Sequence, residues 1–370
     1  MEKLNRRRVL KSGGVGLTMG LAGCTGGNGG DQTNGQDNES TPNTPGSTDA
    51  SEDTYDWDIA TIFPEGGTYY VHATEFARHI NELSGGRFEV NVAGGGQYGT
   101  EPEQLQSLKS GAIEMVSQSA CLPEAVFIDP TYIICATFFH LDQPSWESYM
   151  KFRKRSLQEL EIPSKLHDAG VHLIGPDDEP QQSHTYGMSR GVVAKKAIRS
   201  PEDAQGYSAG VAQASIIAAP LEGIGFDVQT GAPGEAVSAL QQGTYDARET
   251  SIDQAVSTGQ IDPTSHYMHW RHGMNASYLQ INTELYESLS DEDQDLLLEA
   301  HMKARESAGE INRQNEEDYL DQMRDEGLTV VTDFDRDALY SAARDGLRSW
   351  FDENDPPITY DKAIEWASLS

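Results

Sequence analysis

The strongest constraint on the fold of this chain is a regular alternation of strand and helix patterns from Tyr55 onward. The pattern predicts a strand, a helix, a strand, a helix and a strand, at residues 55–61, 70–83, 87–92, 103–110 and 113–116. A β-α-β-α-β order predicts a mostly parallel sheet with helices on its faces. Ligands of such sheets lie at the carboxyl ends of strands, which here means residues 64–67 and Ser117-Gln118.

The middle of the chain repeats this alternation, which indicates a second α/β unit. Strands and helices are expected in turn at residues 208–212, 216–223, 226–229, 235–242 and 245–250. Further on, Ser290 and three acidic residues after it mark the start of a helical pattern that extends to Glu326. The chain from Tyr55 is long enough for two lobes, and a helix of this length can brace both.

The first 24 residues are typical of an export signal. A basic stretch with Arg6-Arg7-Arg8 precedes the apolar stretch Gly13 to Ala22, which is shorter than the roughly 20 residues of a membrane span. The paired arginines resemble a twin-arginine signal, and Leu21-Ala22-Gly23-Cys24 resembles a lipobox that would leave Cys24 lipidated. The alternative is a buried N-terminal helix, in which each glycine would cost about 1 kcal/mol. We expect residues 1–23 to be removed and the protein to be lipid-anchored at the extracellular face of the cell membrane.

Residues 24–54 predict a flexible tether. After Cys24 the segment consists almost entirely of small and polar residues and contains no large apolar residue. It cannot bury enough surface to offset the entropy of ordering it. Because a single lipid chain holds a protein only marginally, lasting attachment would need a second chain or a partner.

The chain is strongly acidic, with 59 Asp and Glu against 27 Lys and Arg and a formal net charge of −32. Loss of residues 1–23 would remove five basic residues and one acidic residue and change the charge to −36. Such a surface repels phosphate, which excludes nucleic acid as a partner. Self-repulsion destabilises a compact fold in dilute buffer but is screened in molar salt, where the Debye length is about 3 Å. The charge predicts a halophilic, haloarchaeal source; the alternative is an ordinary acidic protein.

Besides Cys24 the chain has two cysteines, Cys121 and Cys135, both within the apolar run 119–139. Free cysteines in such runs commonly behave as small buried apolar side chains, although an exported chain also permits a disulfide. Export in a folded state from a reducing cytoplasm favours thiols. Cys and His do not occur at the spacing of a zinc site, so a structural metal is not indicated.

Three stretches of the chain carry a family resemblance. They are residues 105–115, residues 199–206 with Ser200-Pro201-Glu202-Asp203, and residues 239–247 with Gly243-Thr244-Tyr245-Asp246-Ala247. In their order and spacing they resemble the solute-binding component of tripartite ATP-independent periplasmic (TRAP) transporters, the DctP-type extracytoplasmic solute receptors. The resemblance extends from Tyr55 to about Val331.

The resemblance implies a two-lobed, periplasmic-binding-protein-like α/β fold with hinge strands and a long bracing helix. Lobe I is expected to comprise residues 55–185 and 276–315, and lobe II residues 186–275 and 316–345, before a C-terminal extension at 346–370. The lobes are expected to close on a small organic anion, a carboxylate or keto acid. The expected partners are one small and one large integral membrane subunit, and no cofactor is expected.

The resemblance also implies a ligand site with one departure from the family pattern. The family usually clamps a ligand carboxylate with an arginine four residues beyond the glycine of its PEDlkG motif, and this position is Gly210 here. A second family arginine, about twenty residues upstream, corresponds to Arg190. We expect Arg190 to be the remaining anion contact, since arginine binds carboxylates through two parallel hydrogen bonds. The alternative is an ordinary surface arginine.

Six further residues are candidates for the site. Thr250 stands where the family places a polar contact, and Glu249 where members that bind keto acids with a cation use a glutamate. A hinge-facing carboxylate without a metal ion is the equal alternative for Glu249. Trp270 and Arg271 lie where the chain passes back between the lobes; they supply an apolar wall and a charge, or only pack the hinge. The cleft is expected to be lined also by Gln118 and Tyr186.

An enzyme is the hypothesis of a different class. A His-Glu-x-x-His helix and a phosphate loop are both absent from the mature sequence, and the Gly-x-Ser-x-Gly spacing at residues 206–210 falls at the start of a predicted strand and not between a strand and a helix, so we expect no catalysis. The alternative within binding proteins is a receptor of an ABC importer or signalling system that takes a non-carboxylate ligand. Neighbouring genes distinguish these readings, because a TRAP receptor is accompanied by a small and a large membrane protein and an ABC receptor by an ATPase.

Overall fold

The structure, a computed structural model, describes residues 53–136, 145–231 and 233–368. The predicted signal peptide, the lipidation site Cys24 and the tether up to residue 52 lie outside the described residues. Within the described ranges, no helix has the length and apolarity that a membrane crossing requires.

The described residues form two mixed sheets with helices packed on them. The strands are β1 Tyr55–Ala60, β2 Phe88–Ala93, β3 Met115–Ser119, β4 Val171–Leu173, β5 His184–Thr185, β6 Arg190–Ala194, β7 Ser208–Val211, β8 Asp227–Thr230, β9 Ala247–Ser251, β10 His266–Met268, β11 Ser277–Asn282 and β12 Thr329–Val331. The first sheet has the order β2-β1-β3-β11-β4, with β5 also paired to β11, and the second has the order β12-β10-β6-β9-β7-β8.

The α-helices include the five predicted at residues 70–83, 103–110, 216–223, 235–242 and 290–326. They are α1 Thr68–Leu83, α2 Glu101–Lys109, α3 Leu122–Phe127, α4 Trp146–Glu159, α5 Ile162–Asp168, α6 Pro201–Ala204, α7 Ser215–Ile224, α8 Ala236–Gln242, α9 Ile252–Ser257, α10 Thr283–Ser288, α11 Asp291–Asp325, α12 Arg336–Asn354 and α13 Tyr360–Ala367. Short 3₁₀ helices lie at Pro130–Ala136, Pro180–Ser183 and Pro233–Glu235.

The prediction of mostly parallel sheets is correct for only part of each sheet. Strand β1 pairs in parallel with β2 and β3, and β7 pairs in parallel with β8 and β9, as the β-α-β order requires. Strands β6 and β11, however, run antiparallel to β9 and β3. The reason is that two chain segments, β5 to β6 and β10 to β11, pass from one sheet to the other, and a bridge between Ser189 and Met274 joins them.

The long predicted helix is present as α11, which spans 35 residues. It packs on α1 beside the first sheet and on α9 and β12 beside the second. Its buried Leu297 belongs to the core of the first sheet with Ile59 and Phe76, whereas Met323 belongs to a core of the second. This helix therefore braces both sheets.

Helix α12 packs closely on α7 beside the second sheet. A Cβ atom added to Gly346 would lie 2.1 Å from the carbonyl oxygen of Ala219, and one added to Gly223 would lie 2.4 Å from that of Ala342. The two glycines thus allow the helices to touch backbone to backbone. Residue 346, the predicted start of a C-terminal extension, lies within α12; the lobe boundaries themselves stay predictions.

The expectation of free thiols is wrong for Cys121, which is disulfide-bonded. Cys121 is buried at the start of α3, so burial in an apolar environment is correct. An exported chain meets an oxidising compartment in which a disulfide persists, and this outweighs the argument from folding in the cytoplasm. The side chain of Cys135 lies outside the described side chains.

Candidate functional site

Arg190 and Glu249 form the centre of the site, on neighbouring strands β6 and β9. In the strand register Arg190 lies opposite Ser251 and Glu249 opposite Val192, which places both side chains on one face of the second sheet. Arg190 donates from Nε to Glu249 Oε1 and from Nη2 to Oε2, each over 2.7 Å. His272 Nε2 lies 2.9 Å from Glu249 Oε1. The carboxylate therefore accepts from two side chains at once.

The protonation states of Glu249 and His272 follow from burial and from their contacts with each other and with Arg190. Burial alone would raise the pKa of Glu249, but the attraction of Arg190 and the hydrogen bond from His272 hold it well below its usual range. Burial lowers the pKa of the His272 imidazole despite the Glu249 carboxylate. These two pKa shifts agree with an ionised Glu249 beside the charged Arg190. They also agree with a neutral His272 imidazole that donates from Nε2.

Arg190 keeps hydrogen-bonding capacity beyond this pair. A guanidinium has five N–H groups, of which Glu249 takes two. The other three donate to none of the residues in the described ranges, and the side chain is 13% exposed. Glu249 thus holds a charged guanidinium in a fixed orientation with free donors, which suits it to bind an anion.

Helix α1, which packs on the first sheet, makes hydrogen bonds to residues of the second sheet and of the crossing segments near Arg190 and Glu249. Tyr69 Oη donates to Asn275 Oδ1 over 2.6 Å, and Asn275 Nδ2 donates to Ser251 Oγ over 3.3 Å. At the same helix end, the Thr68 backbone N–H donates to Asp253 Oδ2 over 2.8 Å. These hydrogen bonds link the start of α1 to β9, α9 and the crossing segments.

A further carboxyl group lies at the end of β3. Glu101 Oε1 accepts from the backbone N–H of Ser119 over 3.1 Å. Burial raises the pKa of Glu101 to about 6, and the Ser119 N–H and the charge of Arg190 oppose this rise. The pKa of Tyr69 is raised well above its usual value by burial and by Glu101. Glu101, Tyr69 and Arg190 are therefore close enough to affect each other's protonation.

Each sheet also ends in a buried polar side chain with unused hydrogen-bonding capacity. Neither amide atom of Gln118, near the carboxyl end of β3, has a partner in the described part of the chain. Arg248 donates from Nη1 to the Val211 carbonyl over 2.9 Å and from Nη2 to the Gly231 carbonyl over 3.3 Å, while its Nε has no such partner. Val211 ends β7, so the guanidinium reaches the carboxyl edge where parallel sheets bind ligands.

Sequence reasoning missed Arg248 although a signal for it was present. In the register of the sheet, Arg248 lies directly beside Gly210, the position without the family's arginine. A Cβ atom added to Gly210 would lie 2.6 Å from Cζ of Tyr245, whose ring fills that space. A side chain at position 210 is therefore excluded, and the neighbouring strand supplies a guanidinium instead. Sequence reasoning also missed His272, Glu101 and Tyr69, which only the tertiary fold brings near Arg190, and Asn275, which it brings to Tyr69.

Four of the predicted site residues make their contacts elsewhere. Thr250 donates to Gln254 Oε1 over 3.0 Å on the opposite face of β9. Trp270 is 1% exposed and packs in the core near Phe226 and Phe334, which agrees with the alternative of hinge packing. The remaining two, Tyr186 and Arg271, line a separate cavity.

A cation beside Glu249, one of the two predicted alternatives, would compete with the hydrogen-bond donors that already contact this carboxylate. Both carboxylate oxygens accept from Arg190, and one also accepts from His272. A cation bound by Glu249 would have to displace these donors. Over the described residues, no group of three or more His, Cys, Asp or Glu side chains is arranged to hold a metal ion.

Comparison with known proteins agrees with this architecture. Residues 59–354 match the family model described as bacterial extracellular solute-binding protein, family 7, DctP. A solute-binding protein of Verminephrobacter eiseniae is 24% identical over 283 residues, which are 75% of this chain and 79% of that protein. The ectoine-binding periplasmic protein TeaA of Halomonas elongata is 24% identical over 291 residues, which are 74% and 80% of the two chains.

Solved structures show the same fold. A TRAP periplasmic solute-binding protein of Roseobacter denitrificans with bound L-galactonate superposes with a TM-score of 0.71 at 19% identity, over 85% of this chain and 100% of that one. A second, of Sulfitobacter with bound β-D-galacturonate, gives the same TM-score and coverage at 16% identity. The predicted two-lobed, periplasmic-binding-protein-like α/β fold is thereby confirmed. Because the family model matches most of the chain, this protein belongs to family 7 of the bacterial extracellular solute-binding proteins, the DctP family.

Proposed function

We propose that this protein is the extracytoplasmic solute receptor of a TRAP transporter and that it binds a small organic acid. The observation that carries the proposal is Arg190, which Glu249 orients and whose other three N–H groups donate to none of the described residues. Bound molecules named for the structural relatives, L-galactonate and β-D-glucuronate, are hydroxylated carboxylates of the size and charge that such a site takes. In this proposal the two lobes close on the ligand. The ligand binds the closed state more tightly than the open state and so shifts the population toward the closed state.

The other buried polar groups favour a hydroxylated acid over a simple one. Gln118 offers both a donor and an acceptor, which matches the two roles of a ligand hydroxyl. Arg248 adds a second positive charge at the carboxyl edge of the second sheet, without an ion-pair partner among the described side chains. A ligand with one carboxylate and several hydroxyl groups would use all three side chains. A ligand without a negative charge would leave the Arg248 guanidinium without an anionic partner among the described side chains.

A ligand screen tests this proposal. L-galactonate, D-glucuronate, pantoate, D-erythronate and ectoine would be added to the mature protein in molar salt and the melting temperature measured. At a hundredfold excess over its dissociation constant, a true ligand stabilises the protein by about 2.7 kcal/mol. A screen in which no organic acid raises the melting temperature would overturn the proposal.

Gln118→Leu, with Gln280→Leu as its control, separates binding from stability. Both glutamines are fully buried, and neither amide has a hydrogen-bond partner among the described residues. Gln280, however, lies two residues further along β11 than Tyr278, which pairs with Gln118. Replacing a buried amide without partners by an apolar group of similar shape is nearly neutral or stabilising. We expect at least tenfold weaker ligand binding for Gln118→Leu and unchanged binding for Gln280→Leu. Equal affinities in the two variants would exclude Gln118 from the site.

We also propose that the protein works outside the cell, attached to the membrane by a lipid. We infer that residues 1–23 direct export, that Cys24 carries the lipid and that residues 24–54 let the folded part reach its membrane subunits, in a cell that lives in high salt. The acidic composition supports the last point. Cys24→Ser should release the protein into the medium, whereas a membrane-bound variant would contradict the anchor. Genes for a small and a large membrane protein beside this one would support the TRAP assignment.

A further inference from the structure

A second cavity, of about 610 Å³, lies apart from Arg190 and Glu249 and is unusually basic. Its described lining residues, which we call the arginine pocket, are Ser145, Trp146, Tyr186, Arg271, Met274, Arg313 and Arg336. This described lining contains three arginines and no carboxylate. An adjoining cavity of about 590 Å³ shares Trp146, Tyr186 and Arg313 with it and adds Arg305, together with Lys303 and two glutamates.

The three arginines of the pocket lack direct acidic partners within the described part of the chain. Arg271, Arg313 and Arg336 form no ion pair with any residue of the described ranges, in a protein with 59 acidic and 27 basic residues. Glu316, which is not among the described lining residues, accepts hydrogen bonds from Ser189 and Tyr186, and the charge of Arg271 helps to lower its pKa. Three positive charges from three different elements thus converge without a direct ion-pair partner among the described side chains.

Aromatic rings and carbonyl groups hold two of these guanidinium groups in place. Arg313 lies with its guanidinium carbon 4.4 Å from the ring centre of Tyr186, and its Nη1 donates to the Gly309 carbonyl over 3.1 Å. Arg336 lies 5.2 Å and 5.0 Å from the ring centres of Phe334 and Tyr340. Stacking occupies the flat faces of a guanidinium and leaves most N–H groups at its edge available to an anion.

The third arginine occupies an unfavourable backbone conformation. Arg271 has φ of +56°, in the left-handed region that non-glycine residues seldom adopt and that costs free energy. The strain lies in the segment between β10 and β11, one of the two segments that cross between the sheets. The fold thus keeps an exposed arginine at this point of the hinge region at a cost in stability.

We propose that the arginine pocket binds a small oxyanion with two negative charges, of the class of inorganic phosphate and sulfate. Two or three guanidinium groups match the oxygens of a tetrahedral dianion, and the cavity exceeds the size of such an ion. The pocket draws on α4, on α11, on the crossing residues Tyr186 and Arg271, and on the start of α12. A bound dianion therefore joins elements packed beside both sheets and stabilises their present arrangement. This site is separate from the proposed solute site.

Phosphate binding to the mature protein tests the proposal. Inorganic phosphate, sulfate and chloride would be titrated at constant high ionic strength, with binding followed by isothermal calorimetry and by melting temperature. We expect saturable binding of phosphate, of sulfate or of both, and none of added chloride. If both dianions act like chloride at equal ionic strength, the proposal is wrong.

A double substitution with a matched control locates the binding. Arg271→Gln with Arg336→Gln removes two charges of the pocket, whereas Arg155→Gln with Arg324→Gln removes two exposed charges elsewhere. We expect the first pair to weaken dianion binding at least tenfold and the control pair to leave it unchanged. Gln118→Leu should bind the dianion normally, which distinguishes this site from the solute site. Unchanged binding in the first pair would overturn the assignment. If that pair fails to fold, crystals of the unaltered protein soaked in phosphate or sulfate decide instead: an ion in the arginine pocket supports the assignment, and an ion elsewhere overturns it.

Discussion

Arg190 and Glu249 form a two-point ion pair across β6 and β9, with Nε–Oε1 and Nη2–Oε2 distances of 2.7 Å. The Glu249 side chain is fully buried and that of Arg190 is 13% exposed. Because Glu249 is the inner partner, it orients the guanidinium, and the free N–H groups belong to Arg190. Glu249 is therefore the positioning residue of the proposed site, and Arg190 is the residue that we propose to contact the ligand.

Glu249→Gln tests this arrangement through stability. Removal of one partner of a buried ion pair leaves the other charge uncompensated, and such losses cost about 3–5 kcal/mol. We expect a decrease of that size in the free energy of unfolding, measured by denaturant titration in molar salt, together with weaker solute binding. Glu82→Gln is the control, since its pair with Arg78 is exposed and should matter little. Equal losses in the two variants would contradict the role of Glu249.

The protonation of Glu101 should appear in the pH dependence of solute affinity. Burial raises the pKa of this carboxyl to about 6, so it is mostly neutral at pH 5 and mostly ionised at pH 7. An organic acid bound at Arg190 stays ionised over this range and is repelled by ionised Glu101. We expect affinity to fall between pH 5 and pH 7 by about 1 kcal/mol, or roughly fivefold.

Calorimetry at three pH values measures this dependence. Glu101→Gln should make the affinity independent of pH, whereas Glu103→Gln, which alters an exposed carboxylate of the same helix, should keep the dependence. Affinity that rises with pH would show that Glu101 binds a ligand group directly as a carboxylate and would refute simple repulsion.

The sequence predicted the elements of the fold because most of them are local patterns. The helix expected at residues 290–326 is α11, Asp291–Asp325, and its start follows from Ser290, whose side chain accepts from the Asp293 backbone N–H. The antiparallel strands β6 and β11 could not be predicted in the same way. Their direction depends on two segments that cross between sheets, which is a matter of tertiary pairing and not of local periodicity.

The candidate site was predictable only in part, for a similar reason. Arg190 and Glu249 were both proposed from the sequence, but their pairing follows from the register of β6 and β9. Arg248 was overlooked because a strand places neighbouring residues on opposite faces, and Glu249 had already been assigned to the cleft. Only the reach of its long side chain to the carbonyls of Val211 and Gly231 brings it to the edge of the sheet.

The absence of an arginine at position 210 has a steric cause that can be tested. A Cβ atom at Gly210 would lie 2.6 Å from the ring of Tyr245. Gly210→Ala should therefore destabilise the protein by about 1–3 kcal/mol, the usual cost of overpacking a core. Tyr245→Val opens this space, so the double variant should lose less than the sum of the two single losses. Denaturant titration of all four proteins measures this coupling, and additive losses would show that the ring does not exclude a side chain there.

Acid should destabilise the protein partly through His301. Burial lowers the pKa of this imidazole to about 4, while its Nε2 lies 3.0 Å from the Gln182 carbonyl. The unfolded chain binds a proton near pH 6.5 and the folded protein only near pH 4, so the folded state holds fewer protons between these values. The contribution of His301 to the free energy of unfolding is therefore fully present above pH 6.5. It decreases by about 3 kcal/mol as the pH falls toward 4.

His301→Gln tests this contribution, because glutamine does not titrate and can still donate to the Gln182 carbonyl. We expect the free energy of unfolding of this variant to fall less steeply than that of the unaltered protein between pH 6.5 and pH 4. Some slope should persist, since burial and His301 also lower the pKa of His72. Burial and the neighbouring His167 likewise lower the pKa of His172 to about 4, so the contribution of His172 to the slope should also persist. An identical slope in His301→Gln would show that His301 does not titrate differently in the folded and unfolded states.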